Sequence, residues 1–101
     1  MDISQTFGKI LRLRRKEAGL SQEQLALEAG IQRNYVSLIE RGINQPTIGM
    51  LYKLANALQL SPMELVADIE AQLVSEADFR ERIHRAELSG IRSYESPLKR
   101  T

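Results

Sequence analysis

The chain of 101 residues has no cysteine and no tryptophan. The lack of cysteine excludes a disulfide framework and a thiolate metal site. Its apolar runs are far shorter than the ~18 residues that a membrane-spanning helix needs. The acidic start at Asp2 also lacks the basic and apolar regions of a signal peptide. We therefore expect a cytoplasmic protein with no membrane contact.

Motifs that carry catalysis are absent as well. There is no glycine-rich phosphate loop, nucleophile elbow or paired-carboxylate motif. His84 is the single histidine, and Glu87 follows it at helical spacing. This pair could hold a metal or act as an acid and a base, but a metal site needs further ligands, and no residue at a suitable nearby spacing supplies them. We expect no enzyme activity, metal or cofactor, and His84 on a helix surface.

The remaining residues predict one small helical domain. With 43% hydrophobic and 27% charged residues, the composition is that of an ordinary globular chain. No alternating β-branched segment indicates a strand. Asp2 and Gln5 form a capping box for a first helix ending at Gly19. A fifth helix is predicted to start at Ser61–Glu64, which combines an N-cap, a proline at the first helical position and a capping-box glutamate. Helix one is expected to bury Phe7, Ile10, Leu11 and Ala18. Helix four is expected to be capped by Thr47, and its core side is expected to carry Ile48, Leu51, Leu54, Ala55 and Leu58.

A glycine turn joins two short helices in the middle of the sequence. Ser21 and Gln24 form a capping box, which predicts a helix over residues 22–29. Gly30 then supplies the left-handed residue that reverses the chain. The next helix is predicted at about residues 33–41. Two short helices around such a turn are typical of a helix-turn-helix that binds DNA.

The second helix of this pair has two contrasting faces. Val36 and Ile39 lie on its buried stripe, and the opposite side carries the polar residues Arg33, Asn34, Ser37 and Arg41. Arginine can form two hydrogen bonds with guanine, and asparagine two with adenine, in the major groove of DNA. The alternative is a solvated surface, although such surfaces usually carry Glu/Lys pairs. We therefore predict base contacts by Arg33 and Asn34.

These residues, in order and spacing, resemble the phage-repressor and Cro-like helix-turn-helix family, also called the XRE family. The resemblance covers about residues 6–68 and rests on Arg15, Leu20–Gln22, Leu25–Ala26, Ala29–Gly30, Tyr35–Ser37, Ile39–Gly42, Pro46 and Leu51–Leu60. It implies an all-α fold: a five-helix, repressor-like DNA-binding domain in residues 1–74, with an additional C-terminal helix. The chain departs from the family at Gly49 and Met50, where a carboxylate is usual, and at Gln59, where glycine is usual.

The resemblance also implies roles for particular residues. The expected base contacts are Arg33, Asn34, Ser37 and Leu38, of which Leu38 can only pack, for instance on a thymine methyl group. The expected phosphate contacts are Gln22, Tyr35, Arg41 and Asn44. A turn-forming role is the alternative for Asn44. A structural ion pair between Arg15 and Glu40 is expected to orient helices one and three.

The net charge of only +1 limits nonspecific attraction to DNA. Residues 1–67 carry eight basic and six acidic side chains, and the remainder carries six and seven. A basic cluster at Arg12–Lys16 either supports contact with the DNA backbone or is a solvated face. We expect modest nonspecific affinity, so base contacts, backbone amide contacts and dimerisation must contribute.

Apolar residues continue beyond the family core. Helix five has an apolar stripe formed by Leu65, Val66, Ile69 and Leu73, and a sixth helix is predicted at about residues 76–88. The sixth helix either folds back on the monomer or forms a homodimer seam with helix five. We favour the dimer, with residues 75–89 as the dimerisation element and residues 90–101 as a flexible tail. The tail residues Tyr94, Leu98 and Lys99 could instead bind a partner.

Together these patterns predict a sequence-specific transcriptional regulator. It is expected to bind an inverted-repeat operator in double-stranded DNA as a homodimer, because two-fold proteins of this type place two recognition helices ~34 Å apart on successive major grooves. The alternative hypothesis is an antitoxin or adaptor that binds a partner protein with its C-terminal helix and tail.

Overall fold

The computed structural model describes residues 2–73, together with His84 and Arg85. Within this part the fold is all-α, as predicted, and consists of α1 (Ile3–Glu17), α2 (Gln22–Ala29), α3 (Arg33–Glu40), α4 (Ile48–Ala57) and α5 (Pro62–Leu73). None of these helices has the length and hydropathy needed to cross a bilayer. The predicted sixth helix, dimerisation element and tail lie outside the described residues, apart from His84 and Arg85, which are helical and exposed.

Two helix starts follow the predicted capping boxes. The Gln24 amide donates to Ser21 Oγ at 3.0 Å, and the Ser21 amide donates to Gln24 Oε1 at 2.8 Å. At the start of α5 the Glu64 amide donates to Ser61 Oγ at 3.4 Å, and the Ser61 amide donates to Glu64 Oε1 at 3.2 Å. Each box satisfies backbone groups that the first turn of a helix leaves without partners. Local sequence therefore sets where α2 and α5 begin.

Two predictions for helix α1 were wrong. Asp2 does cap it, but the carboxylate accepts from the Ser4 amide at 2.9 Å, and the predicted box with Gln5 is not formed. The helix ends at Glu17, and Ala18 is its exposed C-cap rather than a core residue. Ala18 was expected in the core, but it follows the last residue of the helix and is exposed.

One apolar core joins the helices of the described part. Its fully buried large side chains are Leu11, Leu25, Val36, Ile39, Leu54 and Leu65. Helix α1 packs against α3 and α5, and α2 packs against α3 and α4. Complete burial of such a side chain contributes about 1.5–3 kcal/mol. The core thus fixes α3 against α1 and α2 and leaves its opposite side outside the fold.

Two predicted apolar positions lie at the surface instead. Ile48 was expected to face inward but is 73% exposed. It is the first residue of α4, and a helical Cβ points toward the helix N-terminus, so its side chain extends past the end of the helix. Val66 of the α5 stripe is 45% exposed, whereas Leu65 beside it is completely buried. Among the residues that the structure describes, the apolar stripe of α5 is therefore only partly covered.

Candidate nucleic-acid interface

A tight turn sets the angle between α2 and α3. Gly30 has a φ of 71°, in the left-handed region that favours glycine. The Ile31 amide donates to the Ala26 carbonyl at 2.9 Å, which closes the end of α2, and Ile31 itself packs against the core. Gln32 is the N-cap of α3 and makes no side-chain hydrogen bond to that helix. The first turn of α3 is therefore held by packing, with its polar side chains outward.

The side chains predicted to contact bases share the outer side of α3. Arg33 and Asn34 are exposed, and Ser37 and Leu38, one turn later, are partly exposed. The helix is anchored from behind by Val36 and Ile39, both of which are completely buried. An arginine fork, a carboxamide and a hydroxyl thus project from a fixed backbone, which is the chemistry that hydrogen-bonds to base edges.

The residues predicted to contact phosphates lie before, within and after this face in the chain. Gln22 is the first residue of α2, and Tyr35 is in the first turn of α3; both are half-buried. Arg41 is the exposed C-cap of α3. Asn44 is half-buried, and its backbone amide donates to the Leu38 carbonyl at 3.3 Å. Asn44 is therefore part of the turn that ends α3, whatever else its side chain contacts.

Arg15 and Glu40 form a bidentate ion pair between α1 and α3. Arg15 Nε donates to Glu40 Oε2 at 2.6 Å, and Arg15 Nη2 donates to Glu40 Oε1 at 3.0 Å. The two side chains are only 10% and 3% exposed. Hydrogen bonding to Glu40 raises the pKa of Arg15 above its ordinary value, against the opposing effect of burial. Arg15 is therefore charged throughout the physiological range.

The same pair also holds the start of α2. Arg15 Nη1 donates to the Leu20 carbonyl at 2.8 Å, and Gln22 Nε2 donates to Glu40 Oε1 at 3.1 Å. Glu40 thus accepts three hydrogen bonds, two from α1 and one from α2. This network fixes α1, α2 and α3 relative to one another at the side of the fold that carries Gln22.

The basic cluster at Arg12–Lys16 is divided between the interior and the surface. Arg14 forms a bidentate pair with Asp68 of α5, with donor–acceptor distances of 2.7 and 3.1 Å. This hydrogen bond raises the pKa of Arg14, against the opposing effect of burial. Arg15 is engaged with Glu40, whereas Arg12 and Lys16 are exposed. Only part of the cluster is thus available to an external anion.

Gly8 has a structural role that was not predicted from the sequence. A Cβ built on Gly8 would lie 2.5 Å from the Ile39 carbonyl oxygen and 2.6 Å from that of Glu40. Helices α1 and α3 approach each other so closely only because Gly8 has no side chain. A glycine inside an otherwise strong helical pattern is the signal that could have identified it.

The part of the chain that the structure describes contains no candidate metal-binding site. No group of three or more His, Cys, Asp or Glu side chains there could hold a metal ion.

Known proteins resemble this chain over the same region. A helix-turn-helix family model matches residues 11–65. The uncharacterized HTH-type transcriptional regulator y4dJ of Sinorhizobium fredii is 41% identical over 66 residues, which are 65% of this chain and 86% of that protein. Control protein C.MunI of Mycoplasma sp is 36% identical over 72 residues, which are 70% of this chain and 97% of that protein. The crystal structure of the restriction-modification controller protein C.AhdI from Aeromonas hydrophila has a TM-score of 0.60 and 44% identity, covering 61% of this chain and 94% of that chain.

Proposed function

The chain belongs to the XRE-type helix-turn-helix family of DNA-binding transcriptional regulators, and we propose that it binds an inverted-repeat operator as a homodimer. Helix α3 is the recognition helix in this proposal and lies in the major groove. By occupying its operator, the protein controls transcription from the neighbouring promoter. Regulators of this family are not enzymes.

The observation that carries the proposal is the outward polar face of a helix fixed from behind. Arg33 and Asn34 are exposed at the N-terminal end of α3, where a recognition helix contacts base edges. Ser37 and Leu38 extend the same face by one turn. Because the backbone of α3 is held by the core, these side chains can discriminate bases without ordering a flexible element first.

Phosphate contacts complete the proposed interface. Gln22, Tyr35, Arg41 and Asn44 lie at the starts of α2 and α3 and at the end of α3, and we assign them to the two phosphate backbones. Such contacts set the register of a protein on the duplex but do not read sequence. With a net charge of +1, this chain gains little from general attraction to DNA. Specific base contacts and a second subunit therefore carry more of the affinity.

Exposed apolar side chains on α4 and α5 support the dimer. Tyr52 is 59% exposed, Met63 is 80% exposed and Val66 is 45% exposed. Helices α4 and α5 pack against each other. A continuous apolar patch across two such helices would be typical of an interface, whereas single exposed apolar residues are normal. We assign this surface, together with residues 75–89, to contact with a second copy of the chain.

Selection of bound sequences from random DNA duplexes tests the function. We expect one preferred site made of two inverted half-sites, with centres separated by about one helical turn, ~34 Å, or a multiple of it. The same selection with Arg33→Ala should lose preference at a single base pair of each half-site. Recovery of no preferred sequence by the unaltered chain would overturn sequence-specific binding, and recovery of single half-sites would overturn the dimer.

A further inference from the structure

Glu40 contacts both the ion pair that joins α1 to α3 and the side chain of Gln22. Its carboxylate is almost completely buried, with 3% of the side chain exposed. Oε2 accepts from Arg15, and Oε1 accepts from both Arg15 and Gln22. Arg15 alone is enough to pair with Glu40 and join α1 to α3. The hydrogen bond from Gln22 adds nothing to that ion pair, and its effect is to orient the Gln22 side chain.

The chemistry of a carboxamide explains what this orientation provides. Gln22 Nε2 carries two N–H groups, and a carboxylate oxygen can accept only one of them at the observed 3.1 Å contact. The other N–H group then points away from Glu40. Gln22 is also the first residue of α2, where backbone N–H groups have no partner inside the helix. A phosphate oxygen placed there could accept from both the side chain and the backbone of Gln22.

Arg15 neutralises the charge of Glu40, which would otherwise repel a nearby phosphate. An unpaired Glu40 would repel a DNA phosphate at this side of the fold. The bidentate pair neutralises that charge, and hydrogen bonding raises the pKa of Arg15, so the neutralisation persists over the physiological range. Glu40 can therefore act as a hydrogen-bond acceptor for Gln22 without presenting a net negative charge to DNA.

We propose that Glu40 is a positioning residue for DNA binding, which holds the Gln22 carboxamide in the orientation that donates to a backbone phosphate. The proposal rests on the proposed function, because it assumes that Gln22 contacts DNA. Glu40 itself touches no nucleotide in this proposal. It reduces the loss of side-chain freedom that Gln22 would otherwise undergo when the complex forms.

A double-mutant cycle tests the proposal. The dissociation constant for the duplex recovered by selection is measured with the full chain, with Glu40→Met and Gln22→Ala, and with the double variant. We expect Glu40→Met to weaken binding by about two- to tenfold when Gln22 is present, the range for one lost hydrogen bond. In the Gln22→Ala background we expect less than about a twofold effect. The unpaired Arg15 is common to both arms, so its cost cancels.

Glu40→Gln is the conservative control. It keeps an oxygen that can accept from Gln22 but removes the charge, so we expect it to restore part of the affinity lost in Glu40→Met. This restoration should disappear in the Gln22→Ala background. Circular dichroism and thermal unfolding of every variant define the folded concentration used in each titration.

A second measurement does not depend on whether the variants fold. In the unaltered, 15N-labelled chain without DNA, the two carboxamide protons of Gln22 should differ in hydrogen exchange, with the one bonded to Glu40 slower. Equal exchange of both protons, at the rate of exposed glutamine, would overturn the proposal. So would an equal loss of affinity from Glu40→Met in the two backgrounds.

The outcomes also separate this proposal from the proposed function. If Gln22→Ala leaves affinity unchanged while Arg33→Ala still alters base preference, the positioning role is overturned and DNA recognition stands. If neither change affects binding, the assigned contact residues are wrong, whereas the proposed function itself is overturned only if the unaltered chain selects no preferred sequence.

Discussion

Gly8 of α1 lies directly against the backbone carbonyl of Ile39 in α3, and a Cβ there would approach the oxygen to 2.5 Å. Alanine normally favours a helix over glycine by about 1 kcal/mol, so on propensity alone Gly8→Ala should stabilise the protein. The clash is with backbone, which cannot move without shifting α3. We expect Gly8→Ala to lower the free energy of unfolding by about 1–3 kcal/mol, measured by urea denaturation.

Gly49→Ala is the matched control for this prediction. Gly49 is also helical, but a Cβ there would meet only Thr47 Oγ1 at 3.9 Å, an ordinary contact. We expect this variant to gain about 0.5–1 kcal/mol of stability. Equal responses of the two glycines would show that α1 and α3 are not in the close contact described.

Local signals explain which parts of the fold could be predicted from sequence. The box of Ser21 and Gln24 and the turn at Gly30 depend on residues within five positions of each other, and both are present as predicted. Gly8 acts on residues more than 30 positions away, and Arg14 bonds to Asp68 across 54 positions. Such contacts arise from tertiary packing, which helical spacing alone does not encode.

The candidate site also has features that could be predicted from the sequence and one feature that could not. Val36 and Ile39 could be placed inside from periodicity, which in turn put Arg33 and Asn34 outside. The Arg15–Glu40 pair came from the family resemblance. The additional bond from Gln22 to Glu40 depends on side-chain geometry between α2 and α3, and no spacing in the sequence indicates it.

Removal of Arg15 should be among the most destabilising changes outside the apolar core. In Arg15→Met the Glu40 carboxylate stays buried without its cationic partner, and breaking a buried pair in this way costs about 3–5 kcal/mol. We expect a loss of this size in urea unfolding. The double variant Arg15→Met with Glu40→Met should recover much of it, since no charge then remains buried.

Asp68→Asn provides the comparison with an ion pair nearer the surface. Arg14 and Asp68 form a bidentate pair, but their side chains are 28% and 31% exposed, so solvent screens the interaction. We expect a clearly smaller loss of stability than in Arg15→Met. An equal or larger loss would show that the exposure of these two pairs does not determine their contribution.

The contribution of the Arg15–Glu40 ion pair to the free energy of unfolding should not change when the pH is raised moderately. Because the folded-state pKa of Arg15 is raised, this contribution is fully present below the pKa of arginine in the unfolded chain and is lost only as the pH rises through the higher folded value. The difference in unfolding free energy between the unaltered chain and Arg15→Met should therefore be the same at about pH 7 and about pH 9. A decline over that interval would contradict the assignment.

Gln59 occupies a backbone conformation that favours glycine. Its φ is 58°, and its side chain is exposed, so replacement by glycine sacrifices no buried contact. The left-handed conformation costs a non-glycine residue about 1–2 kcal/mol, and the greater freedom of glycine in the unfolded chain offsets part of the gain. We expect Gln59→Gly to be more stable by about 0.5–1 kcal/mol in thermal and urea unfolding. Gly30→Ala, at a φ of 71° with nothing near its Cβ, should show the opposite sign.

Arg33 offers the sharpest test of base recognition. In the proposed complex its guanidinium forms two hydrogen bonds with a guanine, and Arg33→Ala should cost about 1–3 kcal/mol of binding free energy and relax preference at that base pair. Arg33→Lys is the matched control because it keeps the charge but lacks the planar fork, so it should retain more affinity while still losing base preference. Both quantities are measured by competition titrations at fixed salt with duplexes altered at one base pair. Retention of full preference by both variants would remove Arg33 from the recognition surface.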